Sequence, residues 1–182
     1  MFPLSRRDFL KTATGAGLLL AAPLASANIT AIAGAERKLR FRNLHTGEKL
    51  TATYWAEGEY ISEELAALDH LLRDHRSDVA AHIDRKLFDQ LYTLQQRLGN
   101  QDGIIHVISG YRSPQTNAQL NRTTSGVAKK SLHTQGRAID IRLPGVELKH
   151  LRQAALEMKA GGVGYYPNSN FVHLDTGRPR FW

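Results

Sequence analysis

The chain has 182 residues, 42% apolar and 23% charged, enough for one domain with a real core, and its 15 glycines and 6 prolines exclude a disordered or collagen-like chain. Cysteine is absent, which excludes disulfides, thiolate metal sites, iron–sulfur clusters, cysteine nucleophiles and lipid attachment through cysteine, so any metal must sit on His, Asp or Glu. The formal charge of +7 favours anionic partners (nucleic acid, anionic lipid or an acidic cell-wall polymer) without choosing among them, and the basic residues are scattered rather than blocked.

The chain opens with Ser5-Arg6-Arg7-Asp8-Phe9-Leu10-Lys11, a weakly apolar stretch from Thr12 to Leu24, and Ala25-Ser26-Ala27. A charged region, an apolar region and a small-residue exit make an export signal over residues 1–27. The adjacent arginines look like a twin-arginine signal, a route that carries folded proteins and suits one loaded with metal before export. The apolar run is too short, and too interrupted by Gly15 and Gly17, for a membrane span. Residues 28–38 read as a flexible lead and 39–182 as one domain.

Leu39 to Trp55 reads as a hairpin turning at His45-Thr46-Gly47-Glu48. A helix is predicted from Ser62 as N-cap, with Leu65, Leu68, Leu71 and Leu72 on one face. A second is predicted from Asp84, with Leu87, Phe88, Leu91, Leu94 and Leu98 at helical spacing and Gly99-Asn100 as its stop. Ile104 to Ser109 reads as a strand. Ser113-Pro114 caps and opens a short helix to about Arg122. Thr123 to Lys130 reads as a loop, Ala138 to Leu143 as a strand, Leu148 to Lys159 as a helix, Gly161 to Gly164 as a turn, and Phe171 to Asp175 as a last strand. Helices first and short strands late point to an α+β domain with a small, mainly antiparallel sheet and flanking helices.

Three segments carry the chemistry: Ser109-Gly110-Tyr111-Arg112-Ser113, Ser131 to Asp140, and Phe171-Val172-His173-Leu174-Asp175. Each joins reactive side chains to glycine or to a strand, as a rigid site requires. His133, Asp140 and His173 supply two imidazoles and a carboxylate, a set that zinc accepts while keeping a fourth position for water. Spacing alone does not separate such a site from unconnected surface or core histidines.

The pattern Ser131-x-His133-x-x-Gly136-x-Ala138-x-Asp140, followed by His173 in a Val-His-x-Asp strand, resembles the zinc peptidases that include D-Ala-D-Ala carboxypeptidases and dipeptidases and murein endopeptidases. The hedgehog signalling domain shares their fold. The Ser-Gly-Tyr-Arg-Ser segment is also a family signature. The similarity is strongest to the twin-arginine-exported murein endopeptidases of Gram-negative bacteria, and runs from about Leu39 to Trp182. It includes Asn43-Leu44-His45-Thr46-Gly47-Glu48 and Gly161-Gly162-Val163-Gly164-Tyr165-Tyr166.

The resemblance implies one zinc ion on His133, Asp140 and His173. It implies that Arg112 stands beside the substrate carbonyl, where a fixed guanidinium stabilises a developing oxyanion. Tyr111 and Ser113 are candidate substrate contacts, Ser113 being equally explained as a helix cap. Many family members carry Glu or Asp three residues before the last histidine as general base. Here that residue is Asn170, which cannot accept a proton. Asp175 is then either the base or a support that orients His173. His106 is a further candidate base, with a half-buried strand histidine as its plainer reading. His45, His70, His75, His82 and His150 read as surface residues, and Tyr165-Tyr166 as core packing or a groove wall.

The expected protein is therefore a periplasmic, monomeric zinc metallopeptidase hydrolysing the peptide cross-links of peptidoglycan, first of all diaminopimelate–diaminopimelate links. A D,D- or L,D-carboxypeptidase on stem peptides is the nearest alternative. A binding module of the same fold, without turnover, is a rival supported by Asn170. Nucleic-acid binding rests on charge alone and is disfavoured by export.

Overall fold

A computed structural model describes residues 36–124 and 127–182. The predicted export signal, and most of the predicted lead, lie outside the described residues. Among the described residues, no helix is long and apolar enough to cross a membrane.

The chain runs β1 (Arg37–Asn43), β2 (Lys49–Ala56), β3 (Glu59–Tyr60), α1 (Ser62–Leu71), α2 (Arg85–Arg97), β4 (Ile104–Ser109), α3 (Pro114–Thr123), β5 (Ala138–Arg142), α4 (Leu148–Met158), β6 (Gly162–Tyr166), β7 (Phe171–Asp175) and β8 (Arg180–Phe181), with a 3-10 turn at Leu132–Gln135. The α+β class holds. The sheet, expected to be small, has eight strands in the order β3-β2-β1-β4-β5-β7-β6-β8. It is mixed: β1 lies parallel to β4, and β6 parallel to β8, while the other neighbours are antiparallel. The β1–β4 pair is parallel because α1 and α2 intervene and return the chain in the same direction, as a crossover must.

Alternation decides what each strand buries. Leu39 and Phe41, Ala52 and Tyr54, Ile105 and Val107, Ile139 and Ile141, and Val172 and Leu174 form one apolar sheet face. Leu68, Leu71 and Leu72 of the α1 region, Leu87, Phe88, Leu91 and Leu94 of α2, and Leu151, Ala154 and Ala155 of α4 close the core against it. Fully burying a large aliphatic side chain is worth about 1.5–3 kcal/mol, so this face holds the sheet flat against its helices. The residues between these apolar positions, Asp140 and His173 among them, face the other side.

Two local readings change. Ser62 is the first residue of α1, not its N-cap; the cap position is Ile61, which makes no side-chain capping bond. Its amide donates to Tyr54 O (3.0 Å), so the chain passes straight from the sheet into the helix. Gly162 to Gly164 is not a turn but the start of β6, entered directly from Gly161, and the glycines serve close approach. A Cβ on Gly161 would lie 1.7 Å from Asp175 O, and one on Gly164 would lie 2.8 Å from the Trp182 indole carbons. The other expected elements stand close to their expected bounds. Ser113 Oγ caps α3 by accepting from Thr116 N (3.2 Å), and Asp84 caps α2 by accepting from Lys86 N (3.1 Å).

Candidate metal centre

Sheet register brings the first two residues together. Asp140 of β5 and His173 of β7 are direct partners across the antiparallel pair, and Gly164 of β6 is the partner of His173 on its other side. Directly opposed residues share a face, so the carboxylate and imidazole meet without help from loops. His173 Nδ1 lies 2.9 Å from Asp140 Oδ1.

His133 arrives from the 3-10 turn. Ser131 Oγ accepts from His133 N (3.3 Å), and Gly136, at φ 65°, ends the turn in the left-handed region that glycine adopts without strain. The Ser-Gly-Tyr-Arg-Ser segment then fixes the ring. Gly110 O accepts from His133 Nδ1 (2.6 Å), and Arg112 N donates to His133 O (3.2 Å). Gly110 must be glycine because a Cβ there would meet Leu72 O at 2.4 Å.

The tautomers follow from the acceptors. A carbonyl only accepts, so His133 Nδ1 carries its proton and Nε2 presents a lone pair. His173 Nε2 donates to Asp175 Oδ2 (3.1 Å), so its Nδ1 also presents a lone pair. Those lone pairs face each other at 3.2 Å, with Asp140 Oδ1 at 3.3 Å from His133 Nε2. With both rings neutral these are three acceptors without a shared donor, which repel unless a proton on His173 or a metal cation lies among them. A tetrahedral ion with bonds of about 2.0–2.1 Å has ligand–ligand edges of roughly 3.3 Å, which the two separations from His133 match, the His173–Asp140 edge being shorter at 2.9 Å. All three residues are buried. Burial opposes charge on Asp140, but the two imidazoles outweigh it and hold the carboxyl well below its usual range. Burial also keeps His133 below its ordinary value, favouring the neutral ligand form. At His173 burial is outweighed by the bonds to Asp140 and Asp175, which raise it. The site draws positive charge to the atom where a cation would bind.

Asp175 is committed elsewhere. Its Oδ1 accepts from Gly162 N (3.0 Å), Gly177 N (2.8 Å) and Arg180 Nη1 (3.0 Å); its Oδ2 accepts from Arg180 Nη2 (2.7 Å) and His173 Nε2. The side chain is 0% exposed. Burial would raise its carboxyl, yet His173, Arg180 and the two amides hold it far below the usual range.

A cavity of about 530 Å³ opens over the cluster. Arg112 lines it, with Nε buried and unpartnered and Nη1 only 3.5 Å from Asn117 Oδ1. Tyr166, Phe171 and Trp182 form an aromatic part of the lining: the Tyr166 and Phe171 rings stack at 4.5 Å, Trp182 Nε1 donates to Tyr166 Oη (2.8 Å), and the Trp182 ring lies 5.2 Å from that of His173.

Tyr111 and Ser113, expected as substrate contacts, do not line this cavity. Tyr111 packs against the core, and Ser113 is buried as the cap of α3. His106 lies off the cavity too, and Asn170 sits exposed in the β6–β7 turn at φ 53°. Sequence reasoning missed His45, which lines the cavity and stacks on His75 at 3.9 Å, and it missed Trp182. It also missed buried Asp74, whose carboxylate accepts from Ser113 N (2.9 Å) and Arg76 N (3.1 Å) and so ties the Arg112 loop to the loop after α1. A lone Asp after a helix carried no signal of that role.

Comparison with known proteins agrees with the geometry. Residues 31–182 match the peptidase M15_2 family, described as peptidoglycan L,D-endopeptidase MepK. The chain is 53% identical over 146 residues to the peptidoglycan L,D-endopeptidase MepK of Escherichia coli K12, and equally to that of Shigella flexneri, covering 80% of each chain. It is 44% identical over 146 residues to the probable peptidoglycan L,D-endopeptidase MepK of Haemophilus influenzae, covering 80% of this chain and 78% of that one. The chain belongs to the peptidase M15_2 family.

Proposed function

We propose that this chain is a zinc-dependent murein endopeptidase that hydrolyses L,D-linked peptide bonds between the stem peptides of peptidoglycan. Family membership supports peptidoglycan endopeptidase activity, and one structural observation carries the metal reading: two imidazole lone pairs and a carboxylate oxygen converge within 3.3 Å, with the outer nitrogen of each ring already donating.

His133 Nε2, Asp140 Oδ1 and His173 Nδ1 would hold the ion. Bound there, zinc supplies Lewis acidity, acidifying water and polarising a carbonyl. The chain's own residues do the rest. Arg112 brings a largely desolvated guanidinium to the cavity wall, where its charge would stabilise the oxyanion that develops on the carbonyl oxygen. Asp175 holds the His173 ring and its tautomer, and its saturated oxygens leave it no capacity to take a proton from the cavity. Gly110 O does the same for His133. Tyr166, Phe171 and Trp182 keep the His173 side of the cavity apolar, which strengthens every charge interaction near it.

The same reading places the protein in the periplasm as a monomer, exported through a twin-arginine signal over residues 1–27, with the hedgehog and D-Ala-D-Ala-peptidase type of fold. The test is digestion of two defined muropeptide dimers, one L,D-linked and one D,D-linked, with chelator and zinc add-back arms read by mass spectrometry. Zinc-restored cleavage of the L,D dimer is expected. Cleavage confined to the D,D dimer, or release only of terminal residues, would overturn it.

A further inference from the structure

The charges around the cavity do not balance. Arg76, Arg112, Lys130 and Arg180 line it, and among the described residues of its wall Asp140 is the one side-chain carboxylate. Asp140 is engaged by both imidazoles, and Arg180 is paired with Asp175. Arg112, Arg76 and Lys130 have no ion pair among the described residues, and a divalent ion would add to the excess. Burial acts against the charged form of Arg112; Asp140, Tyr166 and Asp74 favour it, and the charge of Arg76 opposes it. Concentrating unpaired positive charge in a cleft costs self-repulsion, and an anionic ligand relieves it.

Their placement divides the labour. Arg112 is bonded through its own backbone to His133, so it belongs to the metal end. Arg76 is exposed and sits on the loop that Asp74 ties to the Arg112 loop, one step further out. Lys130 is exposed and immediately precedes Ser131, the residue that caps the His133 turn. Arg76 is therefore tied to the segment that carries Arg112, and Lys130 to the one that carries His133, yet neither belongs to the metal cluster.

We propose that Arg76 and Lys130 form an anion subsite that reads a free carboxylate of the substrate peptide lying beside the scissile amide. A guanidinium fork and an ammonium are suited to a planar carboxylate, and a neutral peptide group gains little from them. The occupant is an anionic peptide, so replacing that carboxylate with a carboxamide removes the ligand charge while keeping its shape. The inference rests on the peptidase reading above.

The test uses the zinc-loaded full chain and two synthetic L,D-linked peptide dimers: one with every carboxylate free, and one with the carboxylates beside the scissile amide converted to primary amides. The wild type is expected to favour the free acid by about tenfold or more in kcat/KM, through KM, a preference that fades as salt rises. Arg76→Gln and Lys130→Gln should each bring the acid-to-amide ratio toward one. Equal kcat/KM for the two dimers in the wild type, or an undiminished ratio in both variants, would overturn the subsite. Cleavage of neither dimer would instead overturn the peptidase reading. Calorimetric affinities for the same two dimers then decide the subsite: tighter binding of the acid, lost in Arg76→Gln, supports it, and equal affinity refutes it.

Discussion

Replacing Asp175 by Asn separates two roles for this residue, because the change keeps its volume and removes its charge. The five bonds accepted by the native carboxylate come from two backbone amides, two guanidinium nitrogens and His173. In one amide orientation the new NH2 group faces the amides of Gly162 and Gly177; in the other it faces Arg180 and His173. Either way donors oppose donors, and Arg180 loses its counter-charge. Breaking a buried ion pair costs about 3–5 kcal/mol, and the 33% exposure of the Arg180 side chain puts the expected loss at the low end, about 3 kcal/mol. Losing the carboxylate behind a ligating imidazole lowers metal affinity by roughly 10–100-fold, equivalent to about 1.4–2.7 kcal/mol. Denaturant unfolding of the metal-stripped chain reads the first quantity, and zinc competition against a chromophoric chelator reads the second. Turnover at saturating zinc should recover to within about tenfold of the wild type, as expected for a support. Unchanged zinc affinity with turnover abolished would refute the argument and make Asp175 the proton acceptor.

Arg112→Ala should leave zinc affinity intact and lower kcat by about 10²–10³-fold, the usual cost of removing an oxyanion donor; unaltered kcat would remove it from the reaction. Gly164→Ala should push the Trp182 indole off its seat beside His173 at little cost in stability, because that residue is 47% exposed and its side chain can move, and Trp182 fluorescence would report the shift. An unshifted spectrum would contradict the close approach. Burial, then the charges of His45 and Arg76, pushes the His75 imidazole down to about 4. An unfolded histidine titrates near ~6.5, so between these values the unfolded chain binds more protons and stability falls as pH drops from ~6.5 toward 4. Discounted for partial exposure, His75 contributes about 1–2 kcal/mol of that fall. Stability of the zinc-loaded protein measured across that window should be flatter in His75→Asn, and an identical slope would exclude the residue.

What the sequence revealed is explained by where the information sits. His133 and Asp140 are seven residues apart in one segment, and His173 lies in a strand whose alternation shows on inspection, so the cluster was legible before its geometry was known. Ser113-Pro114 and Asp84 announced their helices because capping is local chemistry. The failures are contacts between one element and another. The glycines of Gly161 to Gly164 resemble a turn until Trp182 and Asp175 are seen pressing on them. Ser62 resembles a cap until Tyr54 O is seen holding Ile61. His45 resembles a turn residue until the sheet brings it to the same cavity as His133. The sequence leaves Asp175 between two roles because its alternation with His173 gives the shared face but not the four donors that occupy it besides His173.

A stoichiometric titration tests most directly whether activity depends on one metal ion held by His133, Asp140 and His173. Zinc is added to the chelator-stripped chain while cleavage of an L,D-linked muropeptide dimer is followed, in the wild type and in His133→Ala and His173→Ala. Activity should rise from near zero and break at one zinc per chain in the wild type, with neither a break nor comparable turnover in the variants. Full activity of the stripped chain, or normal zinc content and turnover in either variant, would contradict it.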